Sequence, residues 1–272
     1  MENLKVTPQY LQADCANCFA LCCVALPYAK SSDFAFNKTS GEPCRNLDKN
    51  FLCRIHKDLR EKGFKGCTVY ECFGAGQKVS QHIYKGKSWR DSPNISKEMF
   101  EVFPIVQQLH EILYYLNEAG NRSETQSIHK QLSSEFEKID NLTKINPKEI
   151  LSLDINEIRA GINPLLINAS EQVRKKYKRN GRMNLPRELF GASLQNQNLS
   201  GYSFRGSILI GANLSNSNLR GAEFIGADLR GTNLCGADMQ ESIFLTQSQL
   251  NASKGNKETK LPPHLQLPHH WG

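Results

Sequence analysis

From Leu189 to Phe244 a large apolar residue falls on every fifth position without a miss: Leu189, Leu194, Leu199, Phe204, Leu209, Leu214, Leu219, Phe224, Leu229, Leu234, Met239 and Phe244. Twelve in step is not accident, and a fixed period constrains a fold before any single motif does. A helix repeats at about 3.6 residues and a strand at two. A period of five is neither, and requires a coil that turns a corner once per repeat.

The other phases agree. Two places before the beat the residue is usually small, as at Ala192, Ser207, Ala212, Ala222 and Ala237. Two places after it stands a glycine at eight positions and an asparagine at 196 and 216. Both tolerate the positive φ of sharp corners. The large residue fills the interior, the small one lets the wall close, and the remaining polar phases face water. Ala212-Asn213-Leu214 and Ala227-Asp228-Leu229 resemble the Ala-(Asp/Asn)-Leu-x-x pattern of the pentapeptide-repeat family. That resemblance implies a right-handed quadrilateral β-helix over residues 185–250, with four repeats per coil and about three coils. A fold of this kind is a scaffold and does not by itself name a function.

At 272 residues the chain accommodates several modules, and its formal charge is +7. The excess is concentrated in residues 1–94, where 14 Lys and Arg face nine Asp and Glu. That is too mild and too scattered to argue for nucleic acid. Residues 1–12 contain no apolar core of a secretory signal, and no run approaches a membrane span. The expectation is a cytoplasmic protein, where dense cysteines read as metal ligands or redox thiols rather than disulfides.

Eight of the nine cysteines fall in residues 13–72: Cys15, Cys18, Cys22, Cys23, Cys44, Cys53, Cys67 and Cys72. The first four read C-x-x-C-x-x-x-C-C. A C-x-x-C knuckle sets two thiolates one ligand span apart, as zinc ribbons and iron–sulfur sites begin. Metal binding contributes directly to folding, which suits a segment with few apolar clusters. The stretch resembles the zinc- or iron-chelating cysteine-cluster (YkgJ-type) family. It departs from that pattern at Arg45 and His56, which stand for a proline and a tyrosine, and in a longer gap from Cys53 to Cys67. The resemblance implies that all eight cysteines are metal ligands, for two tetrahedral zinc ions or for an iron–sulfur cluster with spare thiols. With eight thiols available, His56 and His82 read as surface residues or as partners behind the ligands rather than as ligands themselves. Phe73-Gly74-Ala75-Gly76 reads as a tight turn, because a phosphate loop needs a third glycine and a preceding strand.

Ser92-Pro93-Asn94 reads as a linker. Helical spacing follows from an N-cap at Ser96 to Gly120, then over 123–142, 147–156 and 164–179. Arg174, Lys175, Lys176, Lys178 and Arg179 form a basic run at the last helix end, where cations complement the helix dipole. Leu265, Leu267 and Trp271 are suited to covering the open end of the coil. Cys235 points outward, and His269-His270 is an exposed pair.

The expected architecture is α+β multidomain: a metal-bound Cys-rich domain at 1–94, a helical connector at 95–184, the β-helix at 185–250 and a capping tail at 251–272. No G-x-S-x-G, H-E-x-x-H or Walker loop nominates an enzyme. The expected function is a non-catalytic, zinc- or iron-binding interaction scaffold that meets a protein partner through its β-helix faces, without nucleic acid or membrane, and compatible with a homodimer. One alternative is an iron–sulfur or redox enzyme or its accessory. The other is an antibiotic-resistance or self-protection protein, although the repeats lack the acidic face that mimicry of DNA requires.

Overall fold

Ser92 starts the longest helix. Its Oγ accepts the Ile95 N–H at 3.2 Å, and Pro93 occupies the first helical position, where its missing N–H costs nothing. The expected linker is therefore a helix start, and Ser96 instead bonds back to the Pro93 carbonyl. The computed structural model describes residues 8–177 and 185–272. They fall into two compact units: Met1–Asn117 with Lys130–Pro164, and Glu118–His129 with Leu165–Gly272.

The first unit carries the cysteines. Its early part is irregular, with the short helix α1 (Leu21–Ala25), isolated helical turns, and two antiparallel bridges, Tyr28 to Lys38 and Leu47 to Cys53. Then come α2 (Pro93–Gly120), α3 (His129–Leu142), α4 (Pro147–Leu151) and the start of α5 (Ile155–Arg174). Met99, Val102, Phe103 and Val106 line one face of α2 and pack with Leu21, Val24, Ala75, Val79 and Ile150. Asn146 and Glu149 close a capping box on α4, which stops at Leu151, short of the expected 156. The next helix begins at Ile155 rather than Pro164, and Pro164 sits inside it.

The second unit holds the five-residue repeat. Every beat residue is buried, Leu194 most accessible at 8%. Parallel bridges join residues twenty apart: Glu188–Ile208, Ser193–Asn213, Asn198–Asn218, Ser203–Glu223, Ile208–Asp228, Asn213–Asn233, Asn218–Asp238 and Glu223–Ile243. Four repeats therefore close one coil. The expected β-helix must nonetheless be corrected: among the described residues there is no β-strand and no sheet, and 41% of them lie in helices or helical turns. The reason is the corner. The residue two after the beat takes a left-handed conformation, from Gly191 (φ +62°) through Asn196 and Asn216 to Glu241 (φ +61°). Two adjacent residues never enter one ladder, so pairing stays at single bridges. The unit is a strand-free coil of turns, and α+β does not describe this chain.

Some small polar residues close the interior with bonded hydroxyls, whereas the buried Ser242 Oγ finds no partner among the described residues. Ser217 Oγ donates to the Leu194 carbonyl and Thr232 Oγ1 to the Leu209 carbonyl, each at 2.7 Å. After Phe244 the chain forms α6 (Gln247–Ala252), capped by Thr246 and Gln249. The buried Trp271 ring lies against Gly255, and Leu265 packs on the coil core, whereas Leu267 stays exposed.

Candidate functional site

The cysteines are set by local turns. Asp14 accepts the Ala16 and Asn17 N–H groups at 3.1 and 3.3 Å, which folds Cys15-Ala16-Asn17-Cys18 into one turn. Ala20, at φ +54°, redirects the chain into α1, which carries Cys22 and Cys23. Their sulfurs are 4.0 Å apart.

From α1 the thiols divide. Cys18, Cys22 and Cys72 pack on the α2-facing core of the first unit. A Cβ on Gly76 would stand 2.5 Å from Cys18 Sγ, so any side chain there would have to displace that thiol. Phe73 and Gly74, at φ +50° and +79°, make the turn that follows Cys72. On the other side, the Cys44 N–H donates to the Cys23 carbonyl at 2.9 Å, the Leu47 N–H donates to the Cys44 carbonyl, and Leu47 bridges Cys53. Cys67 follows Gly66 in a helical turn, where the Phe34 ring leaves no room for a side chain at 66.

Burial raises the pKa of most of these thiols. It pushes Cys18 and Cys67 up to about 12, and raises Cys15, Cys53 and Cys72 as well. Cys22 is raised chiefly by its bond to Cys23, and the same bond lowers Cys23, assisted by the Lys38 charge. A soft cation binding here must displace protons, so its affinity would rise with pH.

Thiolate sulfur suits zinc, iron and iron–sulfur clusters, and the threading brings the eight cysteines into one unit. In donor chemistry the residues fit such a group. They do not converge as a finished cluster: among the described residues no three His, Cys, Asp or Glu side chains stand close enough to hold an ion. His56 and His82 are exposed, and so are His269 and His270.

The second unit carries exposed apolar side chains on the coil. Phe190 is 73% exposed and Ile208 42%, and the Leu189 N–H beside Phe190 donates to the Ile208 carbonyl. Charges on the coil pair with one another, as in Arg205–Glu223 and Arg230–Asp228. Of the basic run, Lys176 pairs with Glu124 and Glu241, and Arg174 lies 4.0 Å from Glu223. Lys178 and Arg179 lie outside the described residues.

The family model for pentapeptide repeats matches eight copies, over residues 188–224 and 217–245. Beyond the repeats, the chain is 55% identical over 267 residues to the Bacillus subtilis (strain 168) protein named "Uncharacterized protein YybG", covering 96% of this chain and 95% of that one. It belongs to the YybG family. Membership spans the thiol unit as well as the repeats. No described helix of this YybG-family chain is long and apolar enough to cross a membrane.

Three residues of the thiol unit escape a reading of the sequence. Lys38 and Tyr28 face each other across an antiparallel bridge, with a loop between them, and nothing in composition marks that lysine as buried. His110 is buried in α2 with its Nδ1 2.7 Å from the Phe73 carbonyl. Its signal is faint: it falls between Leu109 and Ile112 on an otherwise apolar face.

Proposed function

We propose that this chain is a non-catalytic, metal-binding pentapeptide-repeat protein whose thiol unit holds zinc or iron and whose coil meets a protein partner. The observation that carries the reading is the threading of the thiols. Cys23, Cys44 and Cys53 are tied by main-chain bonds, and Cys18, Cys22 and Cys72 share one core face. The resemblance of residues 15–72 to the cysteine-cluster family supports the same conclusion. All nine cysteines are unpaired, which supports a reducing, cytoplasmic address. Phe190 and Ile208 support a protein partner, since paired apolar side chains in open solvent gain from being covered. The internally paired charges of the coil argue against an acidic, DNA-like face.

Elemental analysis of tag-free protein, purified anaerobically with a reductant, tests the reading. Zinc or iron in stoichiometric amount is expected. Well-folded protein devoid of any transition metal overturns it.

A further inference from the structure

Lys38 is 4% exposed, one of the few buried charged side chains of the chain. Its Nζ donates to the Val24 carbonyl at 2.9 Å and to the Thr39 carbonyl at 3.0 Å. Both partners are neutral, and no carboxylate pairs with the ammonium among the described residues. A lysine charge taken out of water without a counter-charge is costly. The opposing charge must come from what surrounds it.

Those surroundings include thiols. Val24 follows Cys23 directly, and the Cys23 carbonyl receives the Cys44 N–H. Tyr28 pairs with Lys38 across the antiparallel bridge, with the ammonium 5.7 Å from its ring centre, and its hydroxyl donates to Cys44 Sγ at 3.3 Å. Burial lowers the Lys38 pKa, and Cys44 and Cys23 oppose that ahead of Glu42 and Cys22. Glu42 is already engaged by the Thr39 hydroxyl at 2.9 Å.

We propose that Lys38 and Tyr28 are positioning residues for the Cys23–Cys44 side of the thiol unit: Lys38 as its fixed counter-cation, Tyr28 as a hydrogen-bond donor to Cys44. A metal held by four thiolates carries a net negative charge, and a buried ammonium beside it offsets that charge. The inference rests on the proposed metal reading for its purpose, and on the geometry of Lys38 for its substance. Partners of ligands that orient or charge-balance them typically change metal affinity by about 10–100-fold when removed.

The test uses the full chain. Lys38→Met keeps the length of the side chain and removes its charge, Lys38→Arg restores the charge, Tyr28→Phe removes the donor, and Glu42→Gln removes a carboxylate whose charge acts on Lys38. Zinc affinity is read by competition with a coloured chelator. Lys38→Met is expected to weaken zinc binding by about tenfold or more, Tyr28→Phe by less, with Lys38→Arg close to wild type and Glu42→Gln unchanged. The metal-free, reduced proteins are then alkylated and each cysteine is followed by mass spectrometry. Cys23 and Cys44 should react more slowly in Lys38→Met than in wild type, with Cys235 in the other unit as internal standard. Wild-type protein that binds no zinc or iron sinks the proposed function, and the alkylation rates still judge Lys38. Unchanged rates at Cys23 and Cys44 in Lys38→Met overturn the inference. So does an equal loss of zinc affinity in Lys38→Met and Lys38→Arg, which marks a packing role alone.

Discussion

The ring of Tyr177 fills the space that a side chain at Gly221 would occupy. One turn of the coil earlier, a Cβ on Gly201 would stand 2.5 Å from Tyr177 Cβ. The Tyr177 hydroxyl donates to Glu241 at 2.7 Å, so one side chain spans successive turns of the second unit. Glycine at 221 thus answers two demands, a φ of +63° and the tyrosine above it. At Gly211 the φ is similar, +67°, but the space is open. Gly211→Ala should cost only the conformational strain, about 1–2 kcal/mol. Gly221→Ala should cost about 1–3 kcal/mol more, because the ring must move. Thermal unfolding of the two variants, side by side, measures the difference. Equal shifts in Tm would show that Tyr177 does not rest on the coil.

The contrast explains what could be read in advance. The beat and the glycine phase are periodic, so the coil and its corners were legible residue by residue. The absence of strands was not, because bridging depends on how many residues lie between corners, and the eye fills that gap with sheet. The cysteines stood out by density. Their division at Cys22 and Cys23 did not, since it follows from main-chain bonds between segments distant in sequence, such as Cys44 to Cys23. Tyr177 belongs to a stretch that reads as a solvated basic helix end, and nothing local announces that its ring meets Gly201 and Gly221. Lys38 is the strongest case, because buried lysines have no sequence signature.

Phe204 and Phe224 stack inside the coil with ring centres 5.3 Å apart, and neither is exposed. They are beats of the repeat separated by one full turn, so their contact reports the stacking of turns directly. Phe224→Ala should destabilise the second unit by about 3–5 kcal/mol, the range for emptying a phenylalanine site in a core that cannot collapse. Each unit contains one of the two tryptophans, Trp89 in the first and Trp271 in the second. Urea unfolding of Phe224→Ala in a Trp89→Phe background, followed by Trp271 fluorescence, isolates the effect. A midpoint unchanged from the parent would mean that the beat residues do not form the core.

Gly76 sets two effects against each other. It lies in a helical turn without a positive φ, where alanine is ordinarily favoured by about 0.4–1 kcal/mol. Against that, the added methyl meets Cys18 Sγ at 2.5 Å and Cys18 Cβ at 3.3 Å. Overpacking typically costs about 1–3 kcal/mol, so the clash wins. Gly76→Ala should lower the unfolding midpoint seen by Trp89 in a Trp271→Phe background, and lower the bound metal per chain. Stabilisation by Gly76→Ala would show that Cys18 is free to move aside.

His110 is a buried group whose protonation opposes folding. Its Nδ1 must carry the proton, because the Phe73 carbonyl at 2.7 Å can only accept. Its Nε2 is then an acceptor without a partner among the described residues. Burial, opposed by the Phe73 bond, lowers its pKa from 6.5 to about 4, with the Lys78 charge assisting and Asp140 opposing. Between those two values the unfolded chain binds the extra proton and the folded chain does not. Stability is therefore intact above about pH 6.5 and is lost as pH falls toward 4, by roughly 2–4 kcal/mol. His110→Asn keeps a donor for Phe73 and cannot titrate. In a Trp271→Phe background, urea midpoints are read by Trp89 at about pH 7, 5.5 and 4.5, the range over which a histidine changes charge. They should fall steeply when His110 is present and less steeply in the His110→Asn variant, which takes up no proton there. Metal released by acid lowers both series alike, so the difference between them belongs to His110. Parallel curves would assign the acid sensitivity to the thiols alone.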